Sequence, residues 1–131
     1  MTRVRVLQVY LRALGLFILF YWVGGHWLYP DWYHNLMGFQ EYDLAMAQVI
    51  GTLTVLPMLG AFFSAVNPLR NRDFIVALMV QSVLMALTYV YLVGRGDFPS
   101  REYWNVAILL LNVVVLGCLY PWRNEEWKDV A

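Results

Sequence analysis

Four apolar runs, broken by three short polar connections, set the pattern of this chain. They cover roughly Gln8–Leu28, Leu44–Ala65, Phe74–Val93 and Tyr103–Tyr120. Each is about 18–22 residues long, the length a helix needs to cross a bilayer's hydrocarbon core. The pattern predicts an all-α, polytopic membrane protein: one antiparallel bundle of four transmembrane helices, residues 1–131 forming a single domain. The first run opens on Arg3, Arg5 and Arg12 like a signal peptide. It ends in Tyr21-Trp22-Val23-Gly24-Gly25-His26-Trp27, without the small-residue pattern a signal peptidase reads, so a retained span is expected.

The connections predict orientation. With the N-terminus inside, the inner segments hold Arg3, Arg5, Arg12, Arg70, Arg72, Arg123 and Lys128, whereas the outer ones hold only Arg95 and Arg101. The first outer connection carries Asp31, Glu41 and Asp43 with no Lys or Arg. An excess of basic residues marks the cytoplasmic side, so both termini are expected there, in a bacterial inner membrane. Pro30, Pro68, Pro99 and Pro121 fall in connections, and Trp104, Trp122 and Trp127 suit the water–lipid boundary. Pro57, inside the second run, is expected to kink it. The first outer loop interleaves Trp27, Tyr29, Trp32, Tyr33 and Phe39 with Asp31, His34, Asn35 and Glu41. That mixture reads as an aromatic belt, as a short helix on the outer face, or as a lid over a pocket.

Helical spacing assigns the polar residues inside the runs. Gln8, Arg12, Gly15, Leu19, Trp22 and His26 form one stripe of the first span; Gln81, Met85 and Thr88 share a face of the third, and Asn105, Leu109 and Asn112 of the fourth. Small residues four apart (Ala47/Gly51, Gly60/Ser64, Ala61/Ala65) let the second span approach its neighbours. By helical rise, Gln81 and Asn112 fall within roughly 4 Å of the midplane and are expected to pair. His26, Gln48 and Asn105 lie roughly 9–12 Å toward the outer face. They read either as glue between helices or as the polar groups of an outer pocket, with Trp22 and Trp27 as its walls.

Composition narrows the chemistry. Apolar residues make up 61% of the chain and charged ones 14%, so little is left for a soluble domain. Net charge is zero, which gives no support to nucleic-acid binding. Cys118 is the single cysteine and reads as a buried packing thiol. No Asp or Glu lies deep in a run, which argues against a proton-coupled pump. No catalytic triad, P-loop or metal-ligand spacing occurs, so no catalytic or metal residue is assigned and an enzyme is not expected. His26 invites heme or chlorin ligation, but His34, the other histidine, lies beyond Pro30 in a loop; the sequence requires no cofactor.

The order Gly24-Gly25-His26-Trp27-Leu28-Tyr29-Pro30, Leu36-Met37-Gly38, Val49-Ile50-Gly51, Leu56-Pro57-Met58-Leu59-Gly60 and Pro68-Leu69-Arg70-Asn71-Arg72-Asp73 resembles the DoxX-like group of small four-helix membrane proteins, in particular its BphX-like branch. The resemblance covers about residues 5–123. It implies a membrane bundle, with some relatives linked to thiosulfate or quinone redox systems, and no catalytic set to carry over. The function expected is a non-catalytic accessory or assembly subunit. Its partners would be the lipid bilayer and other membrane subunits, or further copies of itself. The alternative is a binder of a quinone, lipid or hydrophobic aromatic molecule in the outer pocket.

Overall fold

A computed structural model describes residues 2–122; Arg123, Trp127 and Lys128, used above for orientation and the boundary, lie outside the described residues. Every regular element among the described residues is helical. Helix α1 spans Arg3–Trp27, α2 Pro30–Met37, α3 Leu44–Val66, α4 Arg72–Gly94 and α5 Tyr103–Leu119, the last entered through a 3₁₀ turn at Ser100–Glu102. Four of them (α1, α3, α4, and α5 with its 3₁₀ turn) are long and apolar enough to cross a membrane, which points to an integral membrane protein.

Local chemistry sets the ends. Thr2 accepts a hydrogen bond from the Arg5 amide at 3.4 Å, and Asp43 accepts one from Met46 at 3.1 Å, so α1 and α3 each begin on a side-chain cap. Pro30 occupies the first turn of α2, where its missing N–H costs nothing. Gly38 ends α2 at φ 86°, a left-handed backbone that glycine adopts without strain. Between α3 and α4, the Asn67 carboxamide accepts from the Leu69 and Arg70 amides at 3.2 and 3.1 Å and fixes the turn. Helix α3 continues through Pro57 to Val66.

The long helices run antiparallel in sequence. Arg3 at the start of α1 donates to the Cys118 carbonyl at the end of α5, and Gln8 donates to the Val66 carbonyl at the end of α3 at 3.4 Å. The stripe of α1 that turns inward is Val4, Leu7, Leu11, Gly15, Ile18 and Trp22, offset from the expected one: Arg12 faces outward and Gln8 is half-buried. An arginine in hydrocarbon gains by pointing away from the core and snorkelling to the surface, and this selects the offset. Ser64 and the small residues Ala47, Gly51, Gly60, Ala61 and Ala65 of α3 are buried as expected. At Gly15 an added Cβ would sit 2.8 Å from the Phe62 ring, so glycine sets how closely α1 and α3 approach.

The interior forms two apolar layers. One contains Leu7, Leu11, Ala61, Ala65, Ile75, Leu78 and Leu116. The other contains Ile18, Trp22, Tyr33, Met37, Ala86, Tyr89, Val106 and Leu109. Cys118 lies off both and is exposed, contrary to the buried thiol expected. The inward stripe of α5 runs Asn105, Leu109, Asn112 and Leu116, and two residues beyond Leu116 the helix has turned roughly 200°, onto the opposite face.

Candidate functional site

Helix α1 carries a π-helical turn at Ile18–Val23. The extra residue shifts the register of everything after it, and single π turns recur at functional sites. Tyr29 donates a hydrogen bond to the Phe20 carbonyl within this turn. Past it, Gly24, Gly25 and His26 are all buried. Gly25 gives α2 its seat: a Cβ there would lie 3.0 Å from the Tyr33 ring. Helix α2 therefore lies over the end of the bundle with Tyr33, His34 and Met37 buried and Trp32 and Leu36 exposed.

A cavity of about 250 Å³ opens at this end of the bundle. Its aromatic walls are Tyr33, Phe39, Tyr42, Tyr89 and Phe98, its imidazoles His26 and His34, and its carboxyl groups Glu41, Asp43, Asp97 and Glu102. No Lys or Arg lines it. Glu41, Asp43 and Asp97 stand exposed at the rim, with Asp97 3.1 Å from Arg95. Glu102 is different: it is only 1% exposed.

Asn105 holds this carboxyl group in place. Its Nδ2 donates to Glu102 Oε2 and, at 2.8 Å, to the Tyr33 hydroxyl, while its Oδ1 accepts from the Tyr21 hydroxyl at 3.0 Å. Both amide hydrogens and one oxygen lone pair are used, so a fully buried carboxamide is satisfied. The network ties α1, α2 and α5 together at one point.

Each histidine is fixed by its own helix. His26 Nδ1 lies 2.8 Å from the Trp22 carbonyl and His34 Nδ1 lies 2.7 Å from the Pro30 carbonyl. A carbonyl can only accept, so Nδ1 donates in both, and a neutral ring keeps Nε2 as an acceptor. The rings are 5.6 Å apart, with Tyr33 4.4 Å from His26, and His34 stacks on Tyr42 at 3.8 Å. Burial lowers the pKa of His34 below its ordinary 6.5, with the Pro30 carbonyl and then Asp31 opposing the shift. Burial, then the neighbouring Tyr89 and Glu102, hold the Tyr33 phenol well above 10. The Tyr42 phenol is also raised, chiefly by its hydrogen bond to Asp31.

Of the three outer polar residues singled out in the sequence, the structure brings two together. His26 and Asn105 are buried and meet through Tyr33. Gln48 does not join them. It lines a separate surface groove with Trp27, Val49, Thr52 and Leu53, where the Trp27 indole donates to Thr52 at 2.9 Å. Trp27 is 47% exposed and faces that groove, whereas Trp22 is buried in the apolar layer beside the cavity. Helix α3 presents Ala47 and Gly51 toward His26, and this turns Gln48 away.

The expected Gln81–Asn112 pair does not form. The Asn112 carboxamide donates to Ser82 at 2.9 Å and accepts from Tyr10 at 2.7 Å, while the Ser82 hydroxyl passes on to the Leu78 carbonyl at 2.8 Å. Ser82, beside Gln81 on α4, is buried and takes the Asn112 amide, while Gln81 stands exposed at the edge of the cleft that Ser82 and Asn112 line.

Comparison with protein-family models, with curated proteins and with solved structures gives no match. The site therefore rests on its own geometry. Among the described residues, no three His, Cys, Asp or Glu side chains are grouped so that they could hold a metal ion. Glu102 and Tyr89 are the residues that sequence reasoning missed, whereas Tyr33 and His34 were singled out only as part of the outer loop that could cover a pocket. Glu102 had one available signal: it lies three residues before Asn105, on the same helical face, just ahead of the apolar run.

Proposed function

We propose that the protein is a membrane-embedded binder of a small aromatic molecule bearing hydrogen-bond donors or a positive charge, taken into the cavity beneath α2. The observation that carries this reading is the buried carboxyl group of Glu102, oriented by Asn105 in an aromatic-walled cavity. A subunit that only packs against a partner has no need of such a group, since burying a carboxyl group costs free energy that packing alone would avoid. This favours the binder over the accessory or assembly role.

The lining selects the ligand. Four carboxyl groups and no basic residue disfavour an anion, and neutral imidazoles offer acceptors to phenolic or amine hydrogens. Tyr, Phe and His rings suit a flat aromatic body, and their faces attract a cation. A 150 Å³ apolar cavity takes benzene, so about 250 Å³ admits a substituted single ring. A hydroquinone-type head fits this description, in keeping with the quinone link of the DoxX-like resemblance.

Orientation is part of the proposal. Arg3, Arg5, Arg70 and Arg72 lie at the opposite end from the cavity, and because a basic excess marks the cytoplasmic side, this supports reading both termini as cytoplasmic and the cavity mouth as opening on the outer face of a bacterial inner membrane.

The test is a thermal-shift and native-mass-spectrometry screen of the purified protein against phenols, hydroquinones, aromatic amines and aromatic carboxylates. Donor-bearing or cationic aromatics should bind. Glu102→Gln and Tyr33→Phe should weaken binding at least tenfold, while Gln48→Ala, in its separate groove, leaves it unchanged. Preferential binding of the carboxylates, or equal binding by Glu102→Gln, defeats the reading.

A further inference from the structure

Polar side chains that face outward from mid-span have to be satisfied without water. Most here satisfy themselves. The Thr52 hydroxyl donates to the Gln48 carbonyl and the Thr88 hydroxyl to the Leu84 carbonyl, each at 2.9 Å on its own helix. Asn112 and Ser82 are buried and paired with each other.

Gln81 is the exception. It lies two residues from the middle of α4, roughly 3 Å from the midplane by helical rise. Its side chain is exposed, and no hydrogen bond to it occurs among the described residues. At that depth it cannot snorkel to water, as Arg12 can near the end of its span. A groove of about 260 Å³ runs beside it between α3 and α4, with Pro57, Gly60 and Ala77 giving it a shallow floor. Val80 and Leu84 stand exposed next to it as knobs, 51% and 56% accessible.

The geometry points to a second copy of this chain as the occupant of that face, joined through a Gln81–Gln81 carboxamide pair. Two copies inserted the same way round are related by a two-fold axis along the membrane normal, and that operation leaves depth unchanged. Gln81 of one copy then meets Gln81 of the other at the same level. A carboxamide is self-complementary, offering N–H donors and a carbonyl acceptor, so the pair satisfies both ends. An acyl chain in the groove would leave both amides unsatisfied. The small floor lets the helices approach, and each copy supplies both a groove and a set of knobs.

Cysteine cross-linking of the full chain in phosphatidylcholine–phosphatidylglycerol vesicles tests this, in a Cys118→Ser background that removes the native thiol. Ala77→Cys and Leu84→Cys, on the Gln81 face, should give disulfide dimers; Leu111→Cys, exposed at mid-span on α5, should not. Adding Gln81→Leu should reduce the dimer at least tenfold, and Gln81→Asn should restore most of it. Gln81 is exposed and makes no hydrogen bond among the described residues of the bundle, so neither change removes a polar contact of its packing. A monomer at every protein-to-lipid ratio, as expected if lipid fills the groove, overturns the proposal. So does cross-linking favoured at Leu111→Cys, or a dimer indifferent to Gln81→Leu.

Discussion

Replacing Asn105 by leucine should cost about 3 kcal/mol of bundle stability. The substitution keeps the volume close and the helix intact, so its effect isolates the polar contacts. Three groups lose a partner: the Tyr21 hydroxyl at 3.0 Å, the Tyr33 hydroxyl at 2.8 Å and the Glu102 carboxyl. Interhelical hydrogen bonds in membranes average about 0.6 kcal/mol and reach about 1.7. Tyr33 and Glu102 are each only 1% exposed, so water does not replace what is lost and the upper part of that range applies. Taking about 1 kcal/mol for each tyrosine and somewhat more for the carboxyl group gives the total, over a hundredfold in the folding equilibrium. Reversible unfolding in mixed micelles, followed by tryptophan fluorescence, measures it. A double-mutant cycle with Tyr33→Phe should return a coupling of about 1 kcal/mol. A loss below about 0.5 kcal/mol for Asn105→Leu, or additive effects with Tyr33→Phe, refutes the view that Asn105 ties α1, α2 and α5 together.

Other outcomes follow from the same geometry. Gly51→Ala places a Cβ 2.6 Å from Trp27 Cδ1 and 3.1 Å from His26 Cβ, so Trp27 must move off Thr52; about 1–3 kcal/mol should be lost, read in the same unfolding assay. Gly38→Ala, at φ 86°, should lower the melting temperature through backbone strain of about 1 kcal/mol at the end of α2. His34 is held below its unfolded pKa of about 6.5 by burial, so the unfolded chain binds more protons as pH falls past that value. The His34 contribution should therefore drop from pH 7.5 to 5.5, read as the change across that range in the stability difference between the wild type and His34→Gln. A profile unchanged by that substitution rules His34 out as the group responsible.

The spans were legible because length and apolarity are what a bilayer demands, and α3 starts at the expected Leu44. Helix α1 begins five residues earlier than its apolar run because Thr2 caps it and charged residues continue the helix into the interface. Hydropathy records the core and not the helix end. Within the site, spacing alone found Asn105 and His26, whose partners lie on neighbouring helices. Glu102 escaped because it precedes the apolar run, and its spacing to Asn105 marks a shared face without foretelling burial. Gln48 shares the depth of His26 but not its azimuth. Depth follows from counting residues, whereas rotation about the axis depends on packing, and here Gly51 and Ala47 decided it. The same limit explains why Asn112 found Ser82 and Tyr10 rather than Gln81.

The π turn in α1 amounts to one surplus residue, and that makes it removable. Deleting Leu19 would let the ladder close as an ordinary α-helix, and because the widened turn already absorbs the surplus residue, everything beyond it would keep its facing. His26 would stay under Tyr33, while the Tyr29 hydroxyl would lose the Phe20 carbonyl it reaches inside the turn. The four spans would keep their apolarity. A single-codon deletion can thus ask whether the turn itself, rather than the placement of His26, is what the cavity needs.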